Sequence, residues 1–333
     1  MRTLLIYNPN AGRSRAQLQV PDAVLEFHTA GWRVDLVETD GPDAAMHLAR
    51  GAAEQDYDAV IIAGGDGSVN QAVNGLMQAR AAGLPLPALG ILPAGTANVM
   101  ARDLGLPVPL PGFDTPRPVP VLDTSVQAAA RLLTQSRVAP LDVGLIRNAH
   151  GERYFVCWAG IGLDAAVTAD VMANPRAKRH LGPLYFVTNF FMRLPGIRNA
   201  PHYTLRVDDQ VWHGRGLLAV ASNIQHYAVV LDMAPTARLD DGLLDITFFH
   251  GITLWNAGTT IARLLASLHP ADPNVHYAQA QQLHVDAARP QPVHVDAEPF
   301  GMTPVEITIV PRALPILAPP TPEAKRLLAA HPG

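Results

Sequence analysis

The chain has 333 residues, 48% hydrophobic and 16% charged, with a formal net charge of -4. That length exceeds one ordinary domain and supplies apolar residues for two cores, while the mildly acidic balance offers no basic field for nucleic acid, which is not expected as a partner. Lys178 and Lys325 are its only lysines, every other basic side chain being arginine. Neither stands in a Gly-Lys-Ser/Thr loop or early in the chain, which excludes the Walker A and protein-kinase schemes for holding ATP. Cys157, the single cysteine, lies in the apolar run YFVCWAG. It is expected to be buried, in a chain without intrachain disulfides from a reducing compartment. The start, MRTLLIYNPN, runs directly into a strand pattern, and no uncharged apolar stretch reaches about 18 residues, so a cytoplasmic protein without a membrane span is expected.

Along the first hundred residues, apolar runs at 3–7, 33–37, 59–63 and 88–92 predict strands. Helical spacing predicts helices at 21–30, 43–53 and 69–80, with Gly31 suited to cap the first. Strand–helix alternation implies an α/β domain with a parallel sheet covered on both faces, over residues 1–138. Prolines at 107, 109, 111, 116, 118 and 120 cannot occupy a helix interior or central strand and predict a surface excursion, followed by a helix over 124–136. From Leu141 the texture becomes strand-like: DVGLI, YFVCWAG, HYTLRVD, GLLAVASN, LLDITFF, QLHVDA, PVHVDAE and VEITIV predict a mostly antiparallel second domain over 139–312. An apolar helix candidate at 181–197 interrupts it, and the Pro/Ala-rich residues 313–333 read as a surface tail. The short repeat LHVDA and VHVDA, beginning at Leu283 and Val293, predicts a hairpin turning at Arg289, Pro290, Gln291 and Pro292.

The segment AGGDGSVNQAVNG carries most of the chemistry. An apolar strand ends at Ala63, Gly64, Gly65 and Gly67 predict a tight turn, and Ser68 with Gln71 predicts a capping box opening a helix. Glycines that admit a ligand, set before a helix N-terminus, make a phosphate cradle. Asp66 would repel phosphate unless a divalent cation bridges the two. The loops Asn8, Pro9, Asn10, Ala11, Gly12 and Pro93-Ala-Gly-Thr-Ala-Asn98 follow the first and fourth predicted strands, so all three loops share the sheet edge where ligands bind. Thr96 is expected to cap the next short helix. GIGLDA, beginning at Gly160, matches a dinucleotide fingerprint but lacks the acidic residue about 20 positions on, and reads as a chance match. ARLDDGLLD, 237–245, is either a plain Asp-Gly turn or a cation loop. Glu298 is the acid that the second HVDA copy adds beside Gly301, either a proton acceptor or a solvated charge; His284 and His294 read as ordinary strand residues.

NPNAG, GGDGSVNQAVNGL, LGILPAGTANVMARDLG, GIGLDAAV, DDGLLDITFF and HVDAEPFG, in that order, resemble the diacylglycerol kinase catalytic-domain family, bacterial lipid kinases that also look like sphingosine kinases. The resemblance implies a first domain like those of phosphofructokinases and NAD kinases and a β-sandwich second domain. It implies ATP held by Gly64, Gly65, Asp66, Gly67, Ser68, Val69, Asn70 and Gln71, with Asn8 to Gly12, Thr39 and Thr96 completing the site and Mg2+ as cofactor. Glu298 takes the place of the family's D-G-E glutamate, a general base, and Asp241 with the carbonyls of Arg238 and Leu243 that of a structural magnesium site. The 181–197 helix falls where the family has an apolar element near lipid. Here Ser68 stands for a usual Thr, Gln71 for Glu, Val99 for the Asp of GTxND and Ala297 for the Gly of DGE.

The expected activity is in-line transfer of the ATP γ-phosphate to a lipid hydroxyl, with Mg2+ near Asp66, Glu298 as base, and Arg13 or Arg15 aiding charge stabilisation. A cytoplasmic enzyme, peripheral at the inner membrane and capable of forming a homodimer, fits this expectation. A nucleotide-sensing homologue with weakened catalysis and a kinase of a soluble small molecule are the alternatives.

Overall fold

The computed structural model describes residues 1–9, 11, 15–108, 125–173, 188–189, 192–193, 199–227, 231–253 and 255–328. Two compact units emerge, Met1–Asp142 with Pro311–Gly333, and Val143–Val310.

In the first unit, β1 (Arg2–Tyr7), β2 (Arg33–Glu38), β3 (Ala59–Gly64) and β4 (Ala88–Pro93) form a parallel sheet in the order β2-β1-β3-β4. AVIIAG and ALGILP are buried along their whole length, as expected of parallel strands covered on both faces. The cover comes from α1 (Arg15–Thr29) packed with α5 (Ser125–Leu133), and α2 (Ala44–Glu54) packed with α3 (Asp66–Ala81); the short α4 (Val99–Asp103) follows β4. Helix α1 ends at Gly31 (φ 79), where Trp32 N–H donates to Phe27 O and Gly31 N–H to His28 O, both at 2.9 Å. Small residues let α2 and α3 approach: a Cβ on Gly75 would run into Met46 O.

The second unit is a sandwich of antiparallel strands. The strands from residue 137 onward are β5 (Arg137–Asn148), β6 (Gly151–Phe155), β7 (Trp158–Gly162), β8 (His202–Val207), β9 (Gln210–Ser222), β10 (His226–Tyr227), β11 (Leu231–Asp232), β12 (Leu244–His250), β13 (Val275–Ala280), β14 (Gln282–Ala287), β15 (Pro292–Val295), β16 (Glu298–Met302) and β17 (Val305–Ala318), of which β5 begins and β17 ends in the first unit. Helices α6 (Leu163–Ala173) and α7 (Ala257–Leu265) lie between them in sequence. Strand β9 serves both layers: residues 210–215 pair with β8, residues 218–222 with β7 and β12. Tyr203, Phe155, Phe248, Leu205, Ile246 and Ile307 fill the core.

Two expectations are overturned here. The HVDA copies do not pair with each other: β14 lies between β8 and β17, β15 between β7 and β16. Each copy pairs with other strands on both sides, so the intervening residues do not turn a hairpin. Nor do residues 313–328 of the expected 313–333 form a surface tail. Ala313, Leu314, Ile316, Leu317 and Ala318 are buried, and Ile316 pairs in parallel with Leu89 of β4, so the chain returns to the first unit. A proline is tolerated in a strand where its missing N–H is not called on, which hid the strand. Helix α8 (Pro322–Leu327) follows, capped by Thr321, whose hydroxyl accepts from Ala324 N–H at 3.2 Å and donates to Leu104 O at 2.6 Å. Most of 181–197 and the prolines from 109 to 120 lie outside the described residues.

Candidate functional site

The parallel register brings the strand ends level, Tyr7 beside Ala63 and Gly64 beside Pro93. The loops are then bonded through their main chains. Asn8 N–H donates to Ala63 O at 3.1 Å, Thr39 N–H to Tyr7 O at 2.9 Å, and Ala94 and Gly95 N–H both to Gly64 O at 3.1 Å. Of the predicted loop residues, Asn8, Pro9, Ala11, Thr39, Gly64 to Gln71 and Thr96 therefore stand on or beside one sheet edge. Asn10, Gly12 and Arg13 lie outside the described residues, and of Arg15 only the backbone, as the first residue of α1, is described.

The helix after β3 starts earlier than the capping box predicts. Gly65 is the N-cap, with φ -96 and ψ -178, and Asp66, Gly67 and Ser68 form the first turn. Ser68 is thus inside the helix, folded back over Gly64, where a Cβ would lie 2.8 Å from its Oγ. The reason is steric: a Cβ on Gly64 would press on the Ser68 side chain, and one on Gly65 would lie 3.3 Å from the Gly95 Cα. Gly65 has no side chain with which to cap the turn, a setting in which an anion can be bound at the N-terminus of α3. Val69 and Asn70, also predicted to meet nucleotide, bury their side chains at 2% and 4% exposure, so any contribution from them is through the backbone.

Asn98 is the residue that sequence reading underrated. It occupies the left-handed region at φ 50 as N-cap of α4, while Thr96 is exposed and does not cap. Its Oδ1 accepts from Gly95 N–H at 2.8 Å and its Nδ2 donates to Gly95 O at 2.9 Å, closing the loop on itself. The tolerance of Asn for left-handed backbone was the available signal. Asp66 Oδ1 accepts from Met100 N–H at 3.3 Å, tying α3 to α4.

In the second unit, Glu298 follows a two-residue turn, Asp296 and Ala297, both left-handed at φ 45 and 66, that joins β15 to β16. The buried Asp296 carboxylate anchors the turn, accepting main-chain N–H bonds from Val156, Cys157 and Trp158 at 3.1, 3.0 and 2.9 Å. Glu298 Oε2 pairs with Arg153 Nη1 at 3.0 Å, so the carboxylate is held in place rather than loose in solvent. Nothing in the sequence near Glu298 pointed to Arg153, which comes from β6.

Arg238, Asp241 and Leu243 share one loop, where Leu243 N–H donates to Asp241 Oδ1 at 3.0 Å and Gly242 is left-handed at φ 74. Arg238 Nη2 meets the buried Asp240 at 3.3 Å, whose Oδ2 has no hydrogen-bond partner. Oxygen donors beside an orphaned carboxylate oxygen fit a hard cation. No group of three or more His, Cys, Asp or Glu that could hold a metal occurs among the described residues, so main-chain carbonyls and water would supply most ligands.

GIGLDA is not a phosphate cradle: β7 is antiparallel to both neighbours. Asp164 instead joins a buried cluster, its Oδ2 accepting from Tyr227 OH at 2.9 Å and lying 3.1 Å from Nε2 of the fully buried His294. Gly160 leaves room for both side chains. Burial first, then Asp164, pushes the Tyr227 phenol well above its usual range and keeps it a neutral donor.

Residues 2–146 match the family model of the diacylglycerol kinase catalytic domain, and residues 158–318 that of the YegS C-terminal NAD kinase beta sandwich-like domain. The chain is similar to a diacylglycerol kinase of Staphylococcus saprophyticus, 27% identical over 91% of this chain and 90% of the relative, and to one of Bacillus subtilis, 27% identical over 96% of each. Among solved structures, a diacylglycerol kinase from Bacillus anthracis aligns with TM-score 0.67 at 20% identity, covering 96% of this chain and 97% of that one. A second structure from the same organism aligns with TM-score 0.76 at 23% identity over 96% and 95%.

Proposed function

Since the chain belongs to the diacylglycerol kinase catalytic-domain family, we propose that it transfers the γ-phosphate of ATP to the hydroxyl of a lipid: a diacylglycerol, a sphingoid base or a related alcohol. One observation carries the nucleotide half of this reading: the uncapped N-terminus of α3, preceded by Gly64 and Gly65, at the edge it shares with the loops after β1 and β4. First-turn N–H groups, loop amides and a positive dipole end suit a triphosphate in a chain whose two lysines, Lys178 and Lys325, stand in none of these loops.

The Asp66 carboxylate, in that first turn, suits a Mg2+ ion carried with the nucleotide, which when bound neutralises charge on the β- and γ-phosphates. Glu298 accepts the proton of the attacking hydroxyl on its carboxylate, and Arg153 fixes where that carboxylate points. Arg238 and Leu243 carbonyls with Asp241 would hold a second, structural cation. The lipid is presented at a membrane surface; no helix of the described residues is long and apolar enough to cross one.

The test is incubation with labelled ATP, Mg2+ and a panel of diacylglycerols, sphingoid bases and ceramides, read as labelled phospholipid. Product from at least one lipid is expected. Tight Mg-ATP binding without any lipid product would overturn the acceptor, and no nucleotide binding would overturn the whole reading.

A further inference from the structure

A cation stands beside the carboxylate of Glu298. Arg153, opposite Ile146 in the β5–β6 hairpin, sets its Nη1 3.0 Å from Glu298 Oε2. Its Cζ lies 5.6 Å from the centre of the Phe300 ring, two residues further along β16. Asn148 fastens the end of the hairpin to the same strand, Nδ2 donating to Phe300 O at 2.8 Å. The guanidinium is therefore held in place by more than its charge. Glu298 is its one hydrogen-bonded partner among the described residues, and both side chains are half-exposed, so its remaining N–H groups stay available. The other carboxylate of the turn, Asp296, is 4% exposed and already accepts three main-chain N–H bonds. On the hairpin, Arg147 and Glu152 neutralise each other at 3.0 Å.

We propose that Arg153 determines the class of acceptor by charge: it favours an alcohol with ester or amide carbonyl oxygens beside the hydroxyl and disfavours one with an ammonium there. The inference rests on Glu298 being the base of the proposed reaction. A hydroxyl within hydrogen-bonding reach of either carboxylate oxygen, about 3 Å, lies within about 8 Å of Arg153 Nη1. Whatever the acceptor carries on the next carbon shares that range. A bare carboxylate would attract an ammonium, and an alkyl amine is protonated at neutral pH as a lysine is. Arg153 offsets that attraction and adds repulsion, only partly screened within one Debye length. Carbonyl oxygens fare the opposite way, because the guanidinium donates to them. Of the alcohols named above, a diacylglycerol fits and a free sphingoid base does not. An ion pair that only positioned Glu298 would serve every acceptor equally and would not discriminate among them.

The test compares sphinganine with N-acetyl-sphinganine, which share the reacting hydroxyl and long chain and differ in charge at the neighbouring nitrogen. Each is presented in neutral detergent micelles to wild type, Arg153→Gln and Arg153→Lys, as acceptor and as competitor against dioctanoylglycerol. Wild type should favour the N-acetyl compound. Arg153→Gln should lower that preference, read as a ratio of kcat/KM or of inhibition constants, by roughly tenfold. Arg153→Lys keeps the charge and should hold the ratio to within about threefold. Turnover should fall in both variants, but any loss of stability or of Glu298 positioning affects both compounds alike and drops out of the ratio. The inference is overturned if wild type takes the two equally or prefers the free amine, if Arg153→Gln leaves the ratio unchanged, or if neither compound reacts or competes. A ratio that falls as far in Arg153→Lys as in Arg153→Gln also overturns it, shape and not charge then being read. Dioctanoylglycerol separates the failures: its phosphorylation by wild type with an unchanged ratio sinks the role of Arg153 alone, whereas no product from any acceptor sinks the lipid-kinase reading and this one with it.

Discussion

Gly65 and Gly95 meet backbone to backbone: a Cβ on Gly65 would lie 3.3 Å from the Gly95 Cα, and one on Gly95 would press on both the Gly65 Cα and the Asn98 side chain. The loops after β3 and β4 are therefore one rigid piece, joined further by the bonds of Gly95 to Gly64 and of Met100 to Asp66. Gly95→Ala should force them apart, costing about 1–3 kcal/mol as an overpacked contact and weakening Mg-ATP binding by more than tenfold. Calorimetric titration that finds wild-type affinity would show that the close approach does not shape the site.

Asp66 accepts from Met100 N–H and, in the proposed function, also supplies negative charge for a cation. Asp66→Asn keeps an oxygen for the first and removes the second. Melting should change little, while phosphoryl transfer falls by roughly a hundredfold or more and the Mg2+ dependence shifts to higher concentration. Full activity at unchanged Mg2+ would leave the carboxylate a purely structural part.

Glu298→Gln removes the proposed proton acceptor and weakens its ion pair with Arg153. Turnover should drop by about 10²–10⁴, with Mg-ATP affinity preserved, measured by product formation and calorimetry on the same preparation. Near-normal turnover would rule this carboxylate out as the base.

Ala297 sits at φ 66 in the turn before Glu298, a conformation that favours glycine. Ala297→Gly should raise stability by roughly 0.5–1 kcal/mol, a rise of a few degrees in melting temperature. A lower melting temperature would mean that the Ala297 methyl contributes packing outweighing its strain.

His250, His269 and His276 each have their pKa lowered below the ordinary 6.5, in each case chiefly by burial. His276 stacks against His250 at 4.2 Å and Trp212 at 5.0 Å between ring centroids. The unfolded chain binds protons to these rings more readily than the native one, so stability is full above pH 6.5 and declines as pH falls below it. Asp245, raised from its ordinary 3.8 chiefly by burial, acts in the opposite sense, adding stability as pH falls toward that value. Melting between pH 7.5 and 5.5 should therefore show a loss that His276→Phe reduces; equal losses would place the sensitivity elsewhere.

How far the sequence could be read depended on the range of the forces involved. The strands at 59–63 and 88–92, and the glycine-rich loop after the first of them, were legible because burial on both faces and a strand-to-helix turn each leave a local mark. The start of α3 was not, since Ser68 and Gln71 offer a plausible cap and only the packing of Gly65 on Gly95 requires the earlier start. Arg153 beside Glu298, and Asp164 with Tyr227 and His294, were likewise hidden, being partners 145, 63 and 130 positions apart.

The sequence alone determined an α/β unit followed by an antiparallel one, three loops on a common edge, and the absence of lysine from either familiar ATP-holding motif, because periodicity, glycine placement and residue inventory are properties of the chain itself. Only the tertiary structure decided that residues after Pro311 return to β4 and that the HVDA copies part to different partner strands. Strand partners and helix faces are chosen by which distant surfaces are available to cover them, and no local pattern records that choice.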